Sequence, residues 1–473
     1  MSDNKKQEKD YTAEVDALLP EADSLAKSGK LQEALDKIFA LEKLTRNAAD
    51  LSSTTKLAKA AIQHSYDARD YPLLNSTISL LSKKHGQLKA AIQAFVEQVI
   101  EWLPEIKKRD GEDRWLELLE TLRTVTEGKI FLETPRARVT LLLSQHHETL
   151  SESPSAKDPK ESLQTASDLL SDLQVETYSS MERREKTEFI LEQMRLLIKV
   201  ARQKDAELGK EKTKDLMGGG EAEWVKVRVG GRKVNEEFLK DKENEDLKLK
   251  YYDMMIQHAL QRDEYLDVAK YYYKVWETPS IKEDVNGKGK AALEHIAYYI
   301  VLAPHTNEQS DMLHHLFIDP ALPKLELQYN LVKCFTTQEL MRWPGIEAIY
   351  GKFLRKTPVF AQEKRWEDLH SRVVEHNIRV VAAYYTRITI DRLSGLLDLS
   401  QKETEAVLSR LVVAGMVWAK TDRPAGVINF RAKRSAEDVM NDWSSDMQKL
   451  LSLVEKTWMG MNAAQAAQSR VKS

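Results

Sequence analysis

The chain has 473 residues, more than one ordinary hydrophobic core can organise, so several packed units or repeats are expected. Hydrophobic residues make up 42% and charged residues 31%, and no apolar run approaches the ~18 residues of a membrane span, which reads as a soluble folded protein. Lys plus Arg number 71 against 74 Asp plus Glu, a net charge of -3, so no global field steers the chain onto nucleic acid or anionic lipid.

The single cysteine, Cys334, excludes an internal disulfide and a structural zinc site built on several thiolates. The first ten residues are charged, lack the apolar core of a secretory signal and are expected to be disordered. A reducing compartment follows, cytoplasm and nucleus, in which the Asn75-Ser76-Thr77 sequon stays unglycosylated.

From 11 to 216 the chain reads as a helical solenoid, rich in Leu, Ala, Glu and Lys and poor in strand signals. Leu31, Leu35, Ile38 and Leu41 share one helix face, and Ile78, Leu81, Ile92, Phe95 and Val99 continue the theme. Polar breaks at Ser28-Gly29, Arg69 to Pro72, Asp110-Gly111 and Glu133 to Pro135 give hairpins at a spacing of roughly 40 residues, typical of TPR-like or HEAT-like arrays. Ser151 to Pro159, with two prolines and no large apolar residue, is an exposed loop. Residues 217–235 contain Met217 to Gly220 and then Val225, Val227 and Val229 alternating with basic residues. That pattern predicts a short strand or extended arm and a hinge between two solenoid halves.

A second solenoid segment spans 236–365, with helices over Glu245 to Leu260, Tyr265 to Trp276, His295 to Leu302 and Leu325 to Phe335. Tyr271, Tyr272 and Tyr273 suit core packing rather than a ligand box. Residues 366–434 change pattern. A helix from Trp366 to Ala383 meets a β-branched stretch, Tyr384 to Ile390; Asp391 is expected to cap a helix ending near Leu399. Ser400, with Glu403, opens another by a capping box, ending at Gly415. Met416 to Lys420 and Val427 to Arg431 are predicted strands about a Thr421 to Gly426 turn, which completes a winged helix. The last segment, 435–473, is one long helix from Ser435 to about Ala467. Met440, Trp443, Met447, Leu450, Val454 and Met461 form an apolar stripe on it, flanked by Leu451 and Trp458. The fold class is mainly α: a right-handed TPR/HEAT-like helical-hairpin solenoid, then a winged helix with a small β-sheet, then a long carboxy-terminal helix.

Catalytic patterns fail one by one, so no catalytic residue, cofactor or metal is expected. Asn286 to Lys290 lacks the first glycine of a phosphate loop and ends in Ala291; as a calcium loop from Asp284 it places Lys288 and His295 where oxygen ligands belong. The eleven histidines contain no His-Glu-x-x-His, and Asp311 with His315 supplies only two ligands. His146-His147 and His314-His315 point in different directions on a helix, and Cys334 occupies an apolar helical setting. No Gly-x-Ser-x-Gly elbow or dinucleotide fingerprint occurs.

The winged helix is locally basic: Arg379, Arg387, Arg392, Lys402, Arg410, Lys420, Arg423, Arg431, Lys433 and Arg434 face Asp391, Asp398, Glu403, Glu405 and Asp422. Glu403 and Glu405 at the start of the would-be recognition helix oppose phosphate, which leaves nucleic-acid binding as the weaker alternative. The other use of a wing is its sheet edge, which can accept a strand from another protein.

A helical solenoid, a winged helix and an apolar terminal helix together resemble the PCI family, shared by scaffold subunits of the proteasome lid, the COP9 signalosome and a translation initiation complex. Phe335 to Trp343, Arg372 to Arg379, Tyr384 to Thr389, Leu396 to Ser400 and Ala425 to Phe430 are similar to its proteasome-lid branch. The resemblance is strongest from about Asp246 to Glu455 and includes Leu302 to Pro304 and Asn307 to Asp311; the amino-terminal half matches mainly in helical character. It implies a non-catalytic scaffold in ubiquitin-dependent protein degradation. Its partners would be other lid PCI subunits and the lid's deubiquitinase pair, with the proteolytic core a further candidate, and neither membrane nor nucleic acid. The resemblance assigns a lateral sheet interface to Met416, Val417, Trp418, Ala419, Lys420, Val427, Ile428, Asn429, Phe430 and Arg431. It assigns a helical-bundle interface to Met440, Trp443, Met447, Leu450, Leu451, Val454, Trp458 and Met461. A COP9 signalosome scaffold would differ only in its partners.

Overall fold

Unbranched Leu, Glu, Lys and Ala lose little rotamer freedom in a helix, and a computed structural model shows the result. It describes residues 9–153, 158–208, 219–284, 287–430 and 436–472, with side chains as far as 464. Among the described residues are twenty-one α-helices and three short strands. The chain divides into two units between Asp263 and Glu264.

The first unit runs through α1 (Thr12–Lys27), α2 (Leu31–Asn47), α3 (Leu51–Asp67), α4 (Tyr71–Lys83), α5 (Lys89–Arg109), α6 (Glu112–Thr126), α7 (Glu133–Glu152), α8 (Pro159–Ser171), α9 (Arg183–Leu208), α10 (Glu221–Lys233) and α11 (Glu245–Gln261). Each amphipathic face is covered by its neighbours. Leu35 and Ile38 are buried with Val15 and Leu57, and Leu31 and Leu41 pack at that core's margin. Ile78, Leu81, Ile92, Phe95 and Val99 fill the next core. Polar clasps repeat at the predicted interval. The Tyr11 amide donates to Asp50 (3.2 Å), Arg46 to the His85 carbonyl, and the Tyr71 hydroxyl to Asp110 (2.7 Å), each pair 39 residues apart.

Several boundaries differ from expectation. Tyr71 and Pro72 already belong to α4, because the Asp70 carboxylate accepts from the Leu73 amide (3.1 Å) and caps it. Glu133 to Pro135 form the first turn of α7. Ser151 and Glu152 close α7 and Pro159 opens α8; 154–157 lie outside the described residues.

Within the predicted arm over 217–235, Glu221–Lys233 form a helix, and Met217 and Gly218 lie outside the described residues. Packing overrides the alternation of valines. Trp224, Val227, Gly230 and Gly231 are buried at helical spacing, whereas Val225 and Val229 are exposed. A Cβ on Gly230 would lie 2.9 Å from Met194 Cγ, and one on Gly231 2.7 Å from Met255 Sδ, so the glycines let α10 close onto α9 and α11. Trp224 Nε1 donates to Asp205 (2.9 Å) and Lys204 pairs with Glu223 (2.7 Å). These contacts hold α10 against α9.

The second unit comprises α12 (Tyr265–Trp276), α13 (Pro279–Glu283), α14 (Lys288–Leu302), α15 (Asn307–Ile318), α16 (Glu326–Thr336), α17 (Trp343–Leu354), α18 (Glu363–Tyr384), β1 (Arg387–Thr389), α19 (Ile390–Leu397), α20 (Gln401–Val413), β2 (Lys420–Asp422), β3 (Val427–Asn429) and α21 (Ala436–Lys472). The nearly all-apolar α14 lies at its centre, against α12, α16 and α18. Tyr272 stacks on Tyr299 with ring centroids 5.8 Å apart, and Gln328 donates to the Tyr298 hydroxyl (2.8 Å). Tyr271, Tyr272 and Tyr273 are half-buried rather than fully enclosed.

The glycine-rich stretch before α14 is a helix start, not a loop: Gly287 is its N-cap and Lys288 its first residue, while Asn286 lies outside the described residues. The Asp284 carboxylate accepts from the amides of Gly287 (3.1 Å) and Lys288 (3.0 Å). A carboxylate therefore already occupies the position that a phosphate would need.

Candidate interaction surfaces

The winged helix forms around one small core. Val374, Ile378 and Val381 of α18 meet Ile388, Leu393, Leu397, Leu408, Leu411, Val417, Ile428 and Phe430. Thr389, rather than the expected Asp391, caps α19, its hydroxyl accepting from the Arg392 amide (3.4 Å). One β-region residue before Ile390 suffices, because the strand ends as soon as its pairing does. Ser400 and Glu403 form the expected capping box on α20.

The sheet order is β1-β3-β2, antiparallel throughout, with Ile388 and Thr421 both opposite Ile428. This order narrows which backbone of that sheet is free to pair. Val427 to Asn429 are central, with both sides of their backbone already paired, so the open edges belong to β1 and β2. The strand predicted from Met416 begins only at Lys420. The Met416 amide instead donates to the Leu411 carbonyl (3.0 Å), closing α20 past Gly415, which takes φ 71°. Val417, Ile428 and Phe430 are buried in the core and cannot serve as contacts in the folded chain. Trp418 and Lys420 are exposed, and Met416, Ala419, Val427 and Asn429 are half-buried; Arg431 lies outside the described residues. Sequence reasoning missed Tyr384, Tyr385 and Val413, exposed apolar side chains of this unit. The tyrosine doublet at a helix end was the available signal.

The start of α20 is chemically occupied. Glu403 accepts from the Ser400 amide (3.1 Å) and hydroxyl (2.8 Å), and these bonds hold its pKa below the usual glutamate value. Glu405 pairs with Arg423 of the wing turn at 2.6 Å. Arg372 and Arg410 both turn onto Glu375. The basic residues counted along this unit are thus partly spent on its own carboxylates, which disfavours a phosphate-binding face.

Helix α21 is different in kind. Every described side chain from 436 to 464 is exposed. Met440, Trp443, Met447, Leu450, Leu451, Val454, Trp458 and Met461 form its apolar stripe, and the most covered of them, Met447, still shows 44% of its surface. Leu450, Leu453, Val454, Trp458 and Met461 line one shallow groove. A lone apolar helix face of this size is unfavourable in water.

Asp311 and His315 share α15 without further ligands, and no cluster of three metal-binding side chains occurs among the described residues. His146 and His147 are edge-to-face neighbours, 5.9 Å apart, rather than divergent. Cys334 is half-buried on α16, with burial pushing its thiol pKa up, the opposite of an activated nucleophile. No described helix is long and apolar enough to cross a membrane.

Three family models match in succession: PSMD12/CSN4, N-terminal, over 33–284; the PCI domain over 310–432; and the 26S proteasome regulatory subunit RPN5 C-terminal domain over 437–458. The "26S proteasome regulatory subunit RPN5" of Saccharomyces cerevisiae is 39% identical over 454 residues, covering 95% of this chain and 94% of the relative. The chain belongs to the RPN5 family of 26S proteasome regulatory subunits. The "26S proteasome non-ATPase regulatory subunit 12" of Dictyostelium discoideum agrees, at 36% identity with 96% and 94% coverage. The RPN5 relationship runs through the amino-terminal half as well, beyond mere helical character. "COP9 signalosome complex subunit 4" of Arabidopsis thaliana is 21% identical over 229 residues, 47% of this chain and 56% of the relative, so the signalosome alternative is not favoured.

Proposed function

We propose that the chain is a non-catalytic scaffold subunit of the proteasome regulatory particle lid, supporting ubiquitin-dependent protein degradation. One observation carries the assembly reading: the stripe of α21, open to solvent along its described length. Burying a large apolar side chain contributes roughly 1.5–3 kcal/mol before ordering costs, so a bundle of such helices can drive assembly where scattered surface contacts cannot. The partners are other PCI subunits, meeting the open β1 or β2 edge and Trp418, and the helices that complete a bundle with α21, those of the deubiquitinase pair among them. The cytoplasm and nucleus are the compartments for this role.

The test is a chain ending at Arg434, co-expressed with the other lid subunits. It should fold, judged by an unchanged cooperative unfolding transition of the remaining chain, and fail to co-purify with them. Normal assembly of the truncated chain would refute the bundle.

A further inference from the structure

Helix α18 carries Glu375, His376 and Arg379, and the three meet different fates. Glu375 is buried and accepts from Arg372 (2.5 Å) and Arg410 (3.5 Å). That carboxylate is shared by those two cations; Arg379, one helical turn on, feels its charge but makes no ion pair with a carboxylate among the described residues. Its Nε is buried without a hydrogen-bond partner, and burial pulls the guanidinium below its ordinary pKa. His376 is buried against the Glu339 carbonyl (3.2 Å); burial first, then the charge of Arg379, pushes its pKa down to about 4, so its ring is neutral at pH 7.

Arg379 and His376 line a cavity of about 280 Å³ between α15, α16 and α18. His305, Ser310 and Thr336 add neutral polar groups to its wall, and Leu313, Phe335 and Val380 add apolar surface. No carboxylate lines it among the described residues. A half-buried guanidinium whose nearest carboxylate, Glu375, is already shared by Arg372 and Arg410 is incompletely compensated, and an anion that supplies further acceptors improves its balance.

We propose that this cavity receives the carboxylate of an acidic side chain presented by a partner polypeptide, with Arg379 as its charge partner. The mixed wall favours that source over a bare inorganic anion. Leu313, Phe335 and Val380 can cover the methylenes and backbone of a peptide, whereas a free hydrated oxyanion gains nothing from them. The site is separate from the α21 stripe and from the sheet edges, so it stands or falls independently of the bundle.

The experiment uses the full chain with isotope-labelled histidine rings, observed by NMR. The probe is N-acetyl-glutamate amide, with N-acetyl-glutamine amide and inorganic phosphate as comparisons. The His305 and His376 signals should shift and saturate with the glutamate probe in the millimolar range and stay fixed with the glutamine probe. Arg379→Gln should weaken binding at least about tenfold, equivalent to about 1.4 kcal/mol, and Arg379→Lys should keep part of it. Ser310→Asp, half-buried at the cavity wall, supplies an internal carboxylate and should abolish the shifts even if Arg379→Gln folds poorly. Absence of a saturating shift in the wild-type chain, unchanged affinity in Arg379→Gln, or unchanged affinity in Ser310→Asp would overturn the site. Phosphate binding as tightly as glutamate would overturn the assignment to an acidic side chain.

Discussion

Replacing Leu450 and Val454 with serine removes two neighbouring members of the α21 stripe while changing little inside the isolated chain. Leu450 is 60% and Val454 58% exposed, so somewhat more than half of each side chain remains to be buried by a partner. At roughly 1.5–3 kcal/mol for complete burial, each serine should cost the assembly about 1–2 kcal/mol, and the pair about 2–4 kcal/mol. That is a loss of roughly 30- to 1000-fold in affinity. The monomer should keep its unfolding free energy in urea to within about 0.5 kcal/mol, because exposed substitutions away from structural features rarely do more. Sedimentation velocity of the double variant mixed with the other lid subunits, alongside urea unfolding of the variant alone, separates the two effects. Wild-type assembly would refute the argument, and so would a monomer destabilised by about 2 kcal/mol or more, since the stripe would then be packing within its own chain.

Two further outcomes test the interior. Glu148 is held by Arg195 at 2.6 Å through both terminal guanidinium nitrogens and by Lys199, and its pKa falls from 4.5 to about 2, the Arg195 bonds being the largest cause. That depression corresponds to at most about 3 kcal/mol, reduced to about 1–2 kcal/mol because both cations are partly exposed to water. The contribution is complete above pH 4.5 and disappears as pH falls toward 2, so Glu148→Gln should lower stability at pH 7 and flatten acid unfolding across that window. Gly289→Ala places a Cβ 2.5 Å from the Ile281 carbonyl and 2.7 Å from that of Asp284, both rigid backbone, and should cost about 1–3 kcal/mol in urea unfolding. Gly345→Ala meets nothing within 4 Å and should be neutral or stabilising by up to about 1 kcal/mol; equal effects at the two glycines would contradict the packing account.

Helices with one apolar stripe were readable because a period of 3.6 survives in composition alone. Leu35 and Ile38, Ile78 and Leu81, and Phe95 and Val99 were placed in cores by spacing, and all are buried. The Ser400–Glu403 capping box was also readable, since it is a local contract between residues three apart. Residues 221–233 were misread because alternating valines carry a strand signal. Gly230 and Gly231 pack against Met194 and Met255, and Trp224 against Asp205 and His258, all distant in sequence. Which of the ten residues assigned to the sheet interface have free backbone was not legible for a similar reason. Strand order decides which backbone is free, and strand order is not a local property.

What the residues determined by themselves was the succession of elements and the unsatisfied tail. Neither periodicity nor capping requires knowledge of distant neighbours, and the stripe from Met440 to Met461 has too few partners in its own neighbourhood to hide. Tertiary structure alone decided that β3 lies between β1 and β2, that Asp284 closes the start of α14, and that a half-buried Arg379 lines a cavity without a carboxylate among the described residues. Each of these is a competition among groups far apart in the chain for the same hydrogen bonds or counter-charges, and only their arrangement in space settles which group is paired and which is left over.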